Sequence, residues 1–255
     1  MPQVINIVKD IFNKEPKSAV NPDEAVALGA AIQAGIIQGD VQDILLLDVT
    51  PLTLATEVEG GLAHAMIPRN TTIPAKKSNV FTNAVDNQPS ATVHVTQGER
   101  QFSKDNKSLG MFNIDLPNKR RGEAQIEVTF DIDANGILNV SAKELSTGQE
   151  QKVTIQGATG ISDEEIANAK ADAEKFAEED RKKREGVEAN NRLESTIYQL
   201  ERMIEENKEK IPESDQEELK SVVEEGKKVK ENADSSKEEV EAIIDKIEKT
   251  MQDMA

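Results

Sequence analysis

Asp43-Ile44-Leu45-Leu46-Leu47-Asp48 runs directly into Val49-Thr50-Pro51-Leu52-Thr53-Leu54. Four large apolar residues stand between two carboxylates, where a helical rhythm ends and a period-two rhythm begins. A buried strand reads this way; a linker is normally polar or rich in Gly, Ser and Pro. An apolar connector that sometimes meets water needs a second surface on which to dock. The stretch therefore divides the chain into a helical part before it and a β part after it.

Working back from it, Val4, Ile5, Ile7, Val8, Ile11 and Phe12 fall at helical spacing. Asn21-Pro22-Asp23-Glu24 is a helix start, with Asn as cap and Pro at the first helical position. Ala25, Val26, Leu28, Gly29, Ala30, Ile32 and Gly35 follow, their small side chains suited to close packing on a neighbour. Two helices this short cannot bury enough surface to stand alone, so residues 1–42 read as the end of a larger domain.

Working forward, Leu52, Leu54, Thr56 and Val58 alternate up to Gly60-Gly61. Ala91, Val93 and Val95 alternate up to Gln97-Gly98, and Ile126, Val128, Phe130 and Ile132 up to Asn135-Gly136. Leu138, Val140 and Ala142 lead away again, and Asn-Gly between such runs is a tight hairpin signal. With Val153 and Ile155, seven or eight short strands argue for an antiparallel β-sandwich over 49–158. From Ser162 the period is helical, opened by the capping box Ser162-Asp163-Glu164-Glu165. Stripes at Leu193, Ile197, Leu200 and Ile204, at Leu219, Val222, Val223 and Val229, and at Val240, Ile243, Ile244, Ile247 and Met251 make a helical bundle over 159–255. The expected class is a β-sandwich followed by an α-helical lid or bundle (α+β, multi-domain), with a short helical remnant in front and a linker at 43–48.

Composition narrows the function. Of 255 residues 36% are hydrophobic and 3% aromatic, and the net charge is −17, which argues against nucleic acid and anionic membranes as partners. Residues 162–255 hold 29 acids against 17 bases. There is no Cys, hence no disulfide or thiolate metal site, and no stretch approaches the roughly 20 apolar residues of a spanning helix. The expectation is a soluble, cytoplasmic protein. Asp131-Ile132-Asp133-Ala134-Asn135-Gly136 imitates half a calcium loop, but Ala142 stands at the twelfth position, so it reads as a hairpin turn and no metal is expected. His64 and His94 lack clustered ligands, and no phosphate loop or nucleophile elbow occurs.

Five stretches together resemble the DnaK family of seventy-kilodalton heat-shock chaperones: Asn21 to Ala27, Asp43 to Leu54, Arg69-Asn70-Thr71-Thr72-Ile73-Pro74, Gln97-Gly98-Glu99-Arg100, and Ile126 to Ala142. The resemblance covers almost the whole chain and weakens after about Glu206. It implies a chaperone module that binds extended apolar segments of unfolded proteins, closed by a helical lid and joined by Ile44, Leu45, Leu46, Leu47 and Asp48 to an ATPase domain. That domain's nucleotide site is expected before Met1, so the chain is expected not to be an enzyme and to carry no cofactor, ATP and Mg belonging to the full-length family.

Carried over by resemblance, the peptide-binding residues are Leu54, Thr56, Val58, Glu59, Phe81, Thr82, Ala84, Gln88, Ala91, Thr92 and Val93. Thr56, Glu59 and Ala91 depart from the family's bulky apolar pattern, which implies a wider, weaker pocket with a preference for basic flanks. An ion-pair latch falls on Asp86, Arg121, Glu194, Tyr198 and Arg202. Implied partners are unfolded polypeptides and J-domain and nucleotide-exchange co-chaperones. Two readings from other classes compete: a structural or interaction protein acting through its acidic helical bundle, and a carbohydrate-binding sandwich, the latter weakened by the absence of Trp and Tyr from 49–157.

Overall fold

The structure, a computed structural model, describes residues 2–13, 20–21, 23–38, 48–158, 160–208, 211, 213–232 and 235–253. Ile44, Leu45, Leu46 and Leu47 lie outside the described residues. Two compact units are present, Met1–Leu47 and Asp48–Ala255. The first holds helices α1 (Pro2–Phe12) and α2 (Ala25–Gln38), with the Asn21 carboxamide accepting from the Asp23 N–H just ahead of α2.

In the second unit a two-stranded sheet joins β1 (Asp48–Val49) to β4 (Thr72–Ile73). Two four-stranded antiparallel sheets follow. One has the order β3 (Leu62–Ile67), β2 (Leu54–Val58), β6 (Ser90–Gln97), β7 (Lys107–Asp115). The other has the order β10 (Glu150–Ile155), β9 (Leu138–Glu144), β8 (Gln125–Ile132), β5 (Ala75–Thr82). Alternation along β8 and β9 is strict, so Ile126, Val128, Phe130, Ile132, Leu138, Val140 and Ala142 all enter one core with Leu54, Val93, Val95 and Ile114. Each such aliphatic or aromatic side chain contributes roughly 1.5–3 kcal/mol on burial. The β8–β9 hairpin turns at Gly136 (φ 76°), and the Asp133 carboxylate accepts from the Asn135 and Ile137 N–H groups instead of serving a cation.

Helix α3 (Asp163–Glu206) is a single helix of 44 residues that runs through Gly186 without a break. Its capping box is complete: the Ser162 hydroxyl accepts from the Glu165 N–H while the Glu165 carboxylate accepts from the Ser162 N–H. Leu193, Ile197, Leu200 and Ile204 pack against α4 (Glu213–Glu231) and α5 (Lys237–Asp253) through Leu219, Val222, Val223, Val240, Ile243, Ile244 and Ile247. At the crossing Gly226 allows close packing: a Cβ there would stand 3.0 Å from Ile197 Cδ1, so that side chain would have to shift by a few tenths of an ångström.

The expected class is corrected at this level. The sheets and α3–α5 do not separate into a sheet domain and a helical domain; from Asp48 onward they form one compact unit. That unit is built of sheets with one long helix, α3, and two shorter ones, α4 and α5. The physical reason is that the first half of α3 has almost no helical partner and is fastened to the sheets by Lys107–Glu165 and Arg100–Asp180.

Candidate functional site

Strands β2 and β6 pair only over Leu54–Thr56 and Val95–Gln97, and then part. Glu57 and Val58 keep a ladder partner on the β3 side alone, and Ser90 to His94 on the β7 side alone. The parting strands leave backbone donors and acceptors facing a cleft of about 750 Å³. Its apolar wall is made by Val58, Ala91 and Val93, with Phe81, Ile126 and Val128 from the facing sheet. Thr56, Glu59, Thr82, Ala84, Gln88 and Thr92 complete the rim and floor. Leu54 does not reach the cleft; it is fully buried in the core beneath it.

Each rim has a local cause. Gln88 fixes the turn between β5 and β6, its Oε1 accepting from the Ala84 N–H (2.9 Å) and its Nε2 donating to the Ser90 carbonyl (2.9 Å). Asn83, buried below that turn, accepts from the Ala124 N–H and donates to the Val85 and Arg120 carbonyls, tying the turn to the 119–124 loop. On the opposite rim, Glu59 opens a short 3-10 turn in which Gly60 has φ +80°. A Cβ there would stand 2.2 Å from Val187 Cγ1, so only Gly lets α3 approach.

Arg121 joins the two rims to the helix. Its Nη1 donates to Glu194 Oε1 (3.0 Å), its Nη2 reaches Glu59 Oε1 (3.3 Å), and its guanidinium lies 5.8 Å from the Tyr198 ring centroid. The Asp86 carboxylate accepts from the Arg121 N–H (2.7 Å) and from the Tyr198 hydroxyl (2.8 Å). These two bonds hold the Asp86 carboxyl below its ordinary range, the backbone one more strongly. Glu194 is held down first by Lys230, whose Nζ is 2.5 Å from Oε2, and then by Arg121. Arg202 lines the cleft and acts on the Tyr198 phenol through its charge, while its Nε donates to Glu206 Oε1 (2.8 Å). Asp48 accepts from the adjacent Val49 N–H in β1 and stands in no cluster with these residues.

Glu59, 40% exposed, is paired with Arg121, which it shares with Glu194. Sequence reading missed Asn83, Lys230, and the group Glu57, His94 and Met111 along the cleft's outer margin. His94 Nδ1 sits 2.6 Å from Glu57 Oε2 and its Nε2 2.9 Å from Ser108 Oγ, a cross-strand polar chain on the open sheet face. The alternation of β2 and β6 places Glu57 and His94 on one face, which was the available signal.

The model of the family described as Hsp70 protein matches residues 1–255. The chain belongs to the Hsp70 family. A relative named chaperone protein dnaK, from Cyanidioschyzon merolae, is 57% identical over 204 residues, covering 80% of this chain and 34% of that protein. The chain thus spans about a third of that relative's length.

The match overturns three expectations. One family model runs unbroken from residue 1 to residue 255, which corrects the expected class of a β-sandwich followed by a helical lid. The chain was expected not to be an enzyme, yet a family of ATP-hydrolysing chaperones matches all of it. It was expected to carry no cofactor, yet ATP and Mg go with that family. The described residues do not themselves fit a nucleotide. Among them no group of three or more His, Cys, Asp or Glu could hold a metal ion, and Gly60-Gly61 leads into a strand instead of a helix N-terminus. Among the described residues no helix is long and apolar enough to cross a membrane.

Proposed function

We propose that this member of a chaperone family binds extended, largely apolar polypeptide segments in the cleft between β2 and β6. The observation that carries the reading is the parting of these two strands over an apolar wall. An extended segment would pair with the freed backbone groups and lower a side chain between Val58, Phe81 and Val93. Burying one Leu contributes roughly 1.5–3 kcal/mol, which suits reversible, micromolar binding once ordering costs are subtracted. Arg121, Glu194, Asp86 and Tyr198 would hold α3 over the bound segment and slow its release. Unfolded polypeptides are the proposed partners. J-domain and nucleotide-exchange co-chaperones are proposed from family membership alone.

The test is fluorescence anisotropy of a labelled Leu-rich heptapeptide titrated with the chain, beside a Val58→Phe variant that fills the wall. Saturable micromolar binding lost in the variant supports the proposal. No binding by a folded, monomeric sample overturns it and favours the acidic helices as the working surface.

A further inference from the structure

Thr56 is 3% exposed, with its side chain at the floor of the cleft. Its hydroxyl makes no hydrogen bond to any described residue, which distinguishes it from the neighbouring polar groups Asn83 and Gln88, all of whose partners are protein atoms. It also differs from Thr96 Oγ1 and Gln97 Oε1, which are sealed in the interior without a partner; the Thr56 hydroxyl is not sealed. A buried hydroxyl with no partner is costly, and one that opens only into a cavity is satisfied by whatever enters the cavity. The apolar part of the cleft lining is Val58, Ala91 and Val93, with Phe81, Ile126 and Val128 from the facing sheet, and His64 stands opposite Thr56 in the β2–β3 ladder. Ala91, the smallest of these, leaves the space beside Thr56 wider than a larger aliphatic residue would.

We infer that the central position of this cleft is built for a side chain with an apolar ring and a hydroxyl tip, tyrosine, whose phenol oxygen hydrogen-bonds to Thr56 Oγ1. The inference rests on the polypeptide-binding reading and specifies its substrate. A tyrosine ring presents its edge to Phe81 and its faces to the aliphatic wall, and the phenol can both donate to and accept from a threonine hydroxyl. Leucine fills the apolar space and leaves Thr56 unpaired. Phenylalanine does the same with the ring in place, so tyrosine against phenylalanine isolates the hydrogen bond. A site that hydrogen-bonds a substrate hydroxyl discriminates against the analogue lacking it because its own polar group is then stranded.

The experiment uses the full chain and three labelled heptapeptides identical except for Leu, Phe or Tyr at the centre, titrated against wild type, Thr56→Val and Thr56→Ser. The expected result is tighter binding of the Tyr peptide than the Phe peptide by about three- to tenfold in wild type. Thr56→Ser should retain that ratio, and Thr56→Val, of the same shape, should bring it to one or below. Binding of all three peptides with a Phe-to-Tyr ratio near one in wild type, or a Tyr preference that survives Thr56→Val, overturns the inference and leaves the cleft a peptide site. Failure of every peptide to bind overturns the polypeptide-binding reading and the inference with it.

Discussion

Helix α3 is attached to the sheets at two places that solve the same problem differently. Near its middle, Asp180 receives the Arg100 fork, Nε to Oδ2 at 2.6 Å and Nη2 to Oδ1 at 2.9 Å, while the guanidinium stacks 4.3 Å from the Phe176 ring centroid. The two side chains are 3% and 15% exposed. Beside the cleft the attachment is spread over Arg121, Glu59, Glu194, Asp86 and Tyr198, with Glu59 40% and Glu194 29% exposed. A desolvated fork is costly to break because each partner is left as a buried charge. Exposed pairs exchange with water and contribute about 0–1 kcal/mol each. The difference predicts where the molecule yields first: the contacts of α3 beside the cleft should break before its Asp180 contact does.

The largest expected effect breaks the strong attachment. Asp180→Ala removes the fork, leaves Arg100 only the more distant Asp105 carboxylate (3.7 Å), and should cost about 3 kcal/mol, lowering the thermal midpoint by about 6–10 °C. A fall under about 2 °C would make the two attachments equivalent and end the comparison. The next effect sharpens it from the cleft side. Gly60→Ala combines a positive φ with a Cβ driven against Val187 on α3, whereas Gly61→Ala has φ +74° and open space around its Cβ. Both should cost about 1 kcal/mol from the backbone, and only Gly60→Ala should also speed peptide release. Equal release from the two variants would mean α3 does not press on that turn.

The sequence reading located the inner strands and the edge strand β10, and missed the edges β5 and β7, for a physical reason. β8 and β9 each have neighbours on both sides and one face in the core, so their apolar residues alternate cleanly. β5 and β7 are edge strands, and Ala75–Thr82 is exposed along most of its length, so Lys76, Lys77, Ser78 and Asn79 break the pattern. Along α3 the stripe at Leu193, Ile197, Leu200 and Ile204 was legible because other helices cover it, and the Arg100–Asp180 fork was not. No periodicity joins residues 80 positions apart. At the site, Asn83 and Lys230 were invisible for the same reason: their importance is set by which loops the fold brings together.

Acid sensitivity tests the base of the 119–124 loop, on which Arg121 is carried. Burial pushes the fully buried Glu144 carboxyl up, yet bonds from the Thr147 N–H, the Ser146 hydroxyl and Lys119 outweigh it and hold the group at about 2, against 4.5 ordinarily. A carboxyl depressed on folding contributes stability above its unfolded pKa and loses it as pH falls through the folded value. Stability should therefore drop between about pH 4.5 and about 2, and Glu144→Gln should flatten that limb while lowering stability at neutral pH. An acid limb unchanged in the variant would remove Glu144 as its source, and with it the idea of a firm base beneath a yielding latch.

The smallest effect is the most specific. Tyr198 is the only tyrosine in the sequence, so phenolate absorbance reports one group. The bond to Asp86 raises its pKa above 10.0, with burial adding to the rise. A group raised on folding contributes below its ordinary pKa and loses that contribution as pH climbs through the folded value, so the bond is fully present at pH 7. Tyr198→Phe should leave peptide affinity little changed and speed peptide release about threefold, the scale of one exposed hydrogen bond. Asp86→Ala should bring the phenol titration back towards 10.0 and speed release by a similar factor, and the double variant should be no faster than either alone. If the single variants instead multiply, Asp86 and Tyr198 act on α3 separately, and the cleft attachment is a set of independent contacts instead of one latch.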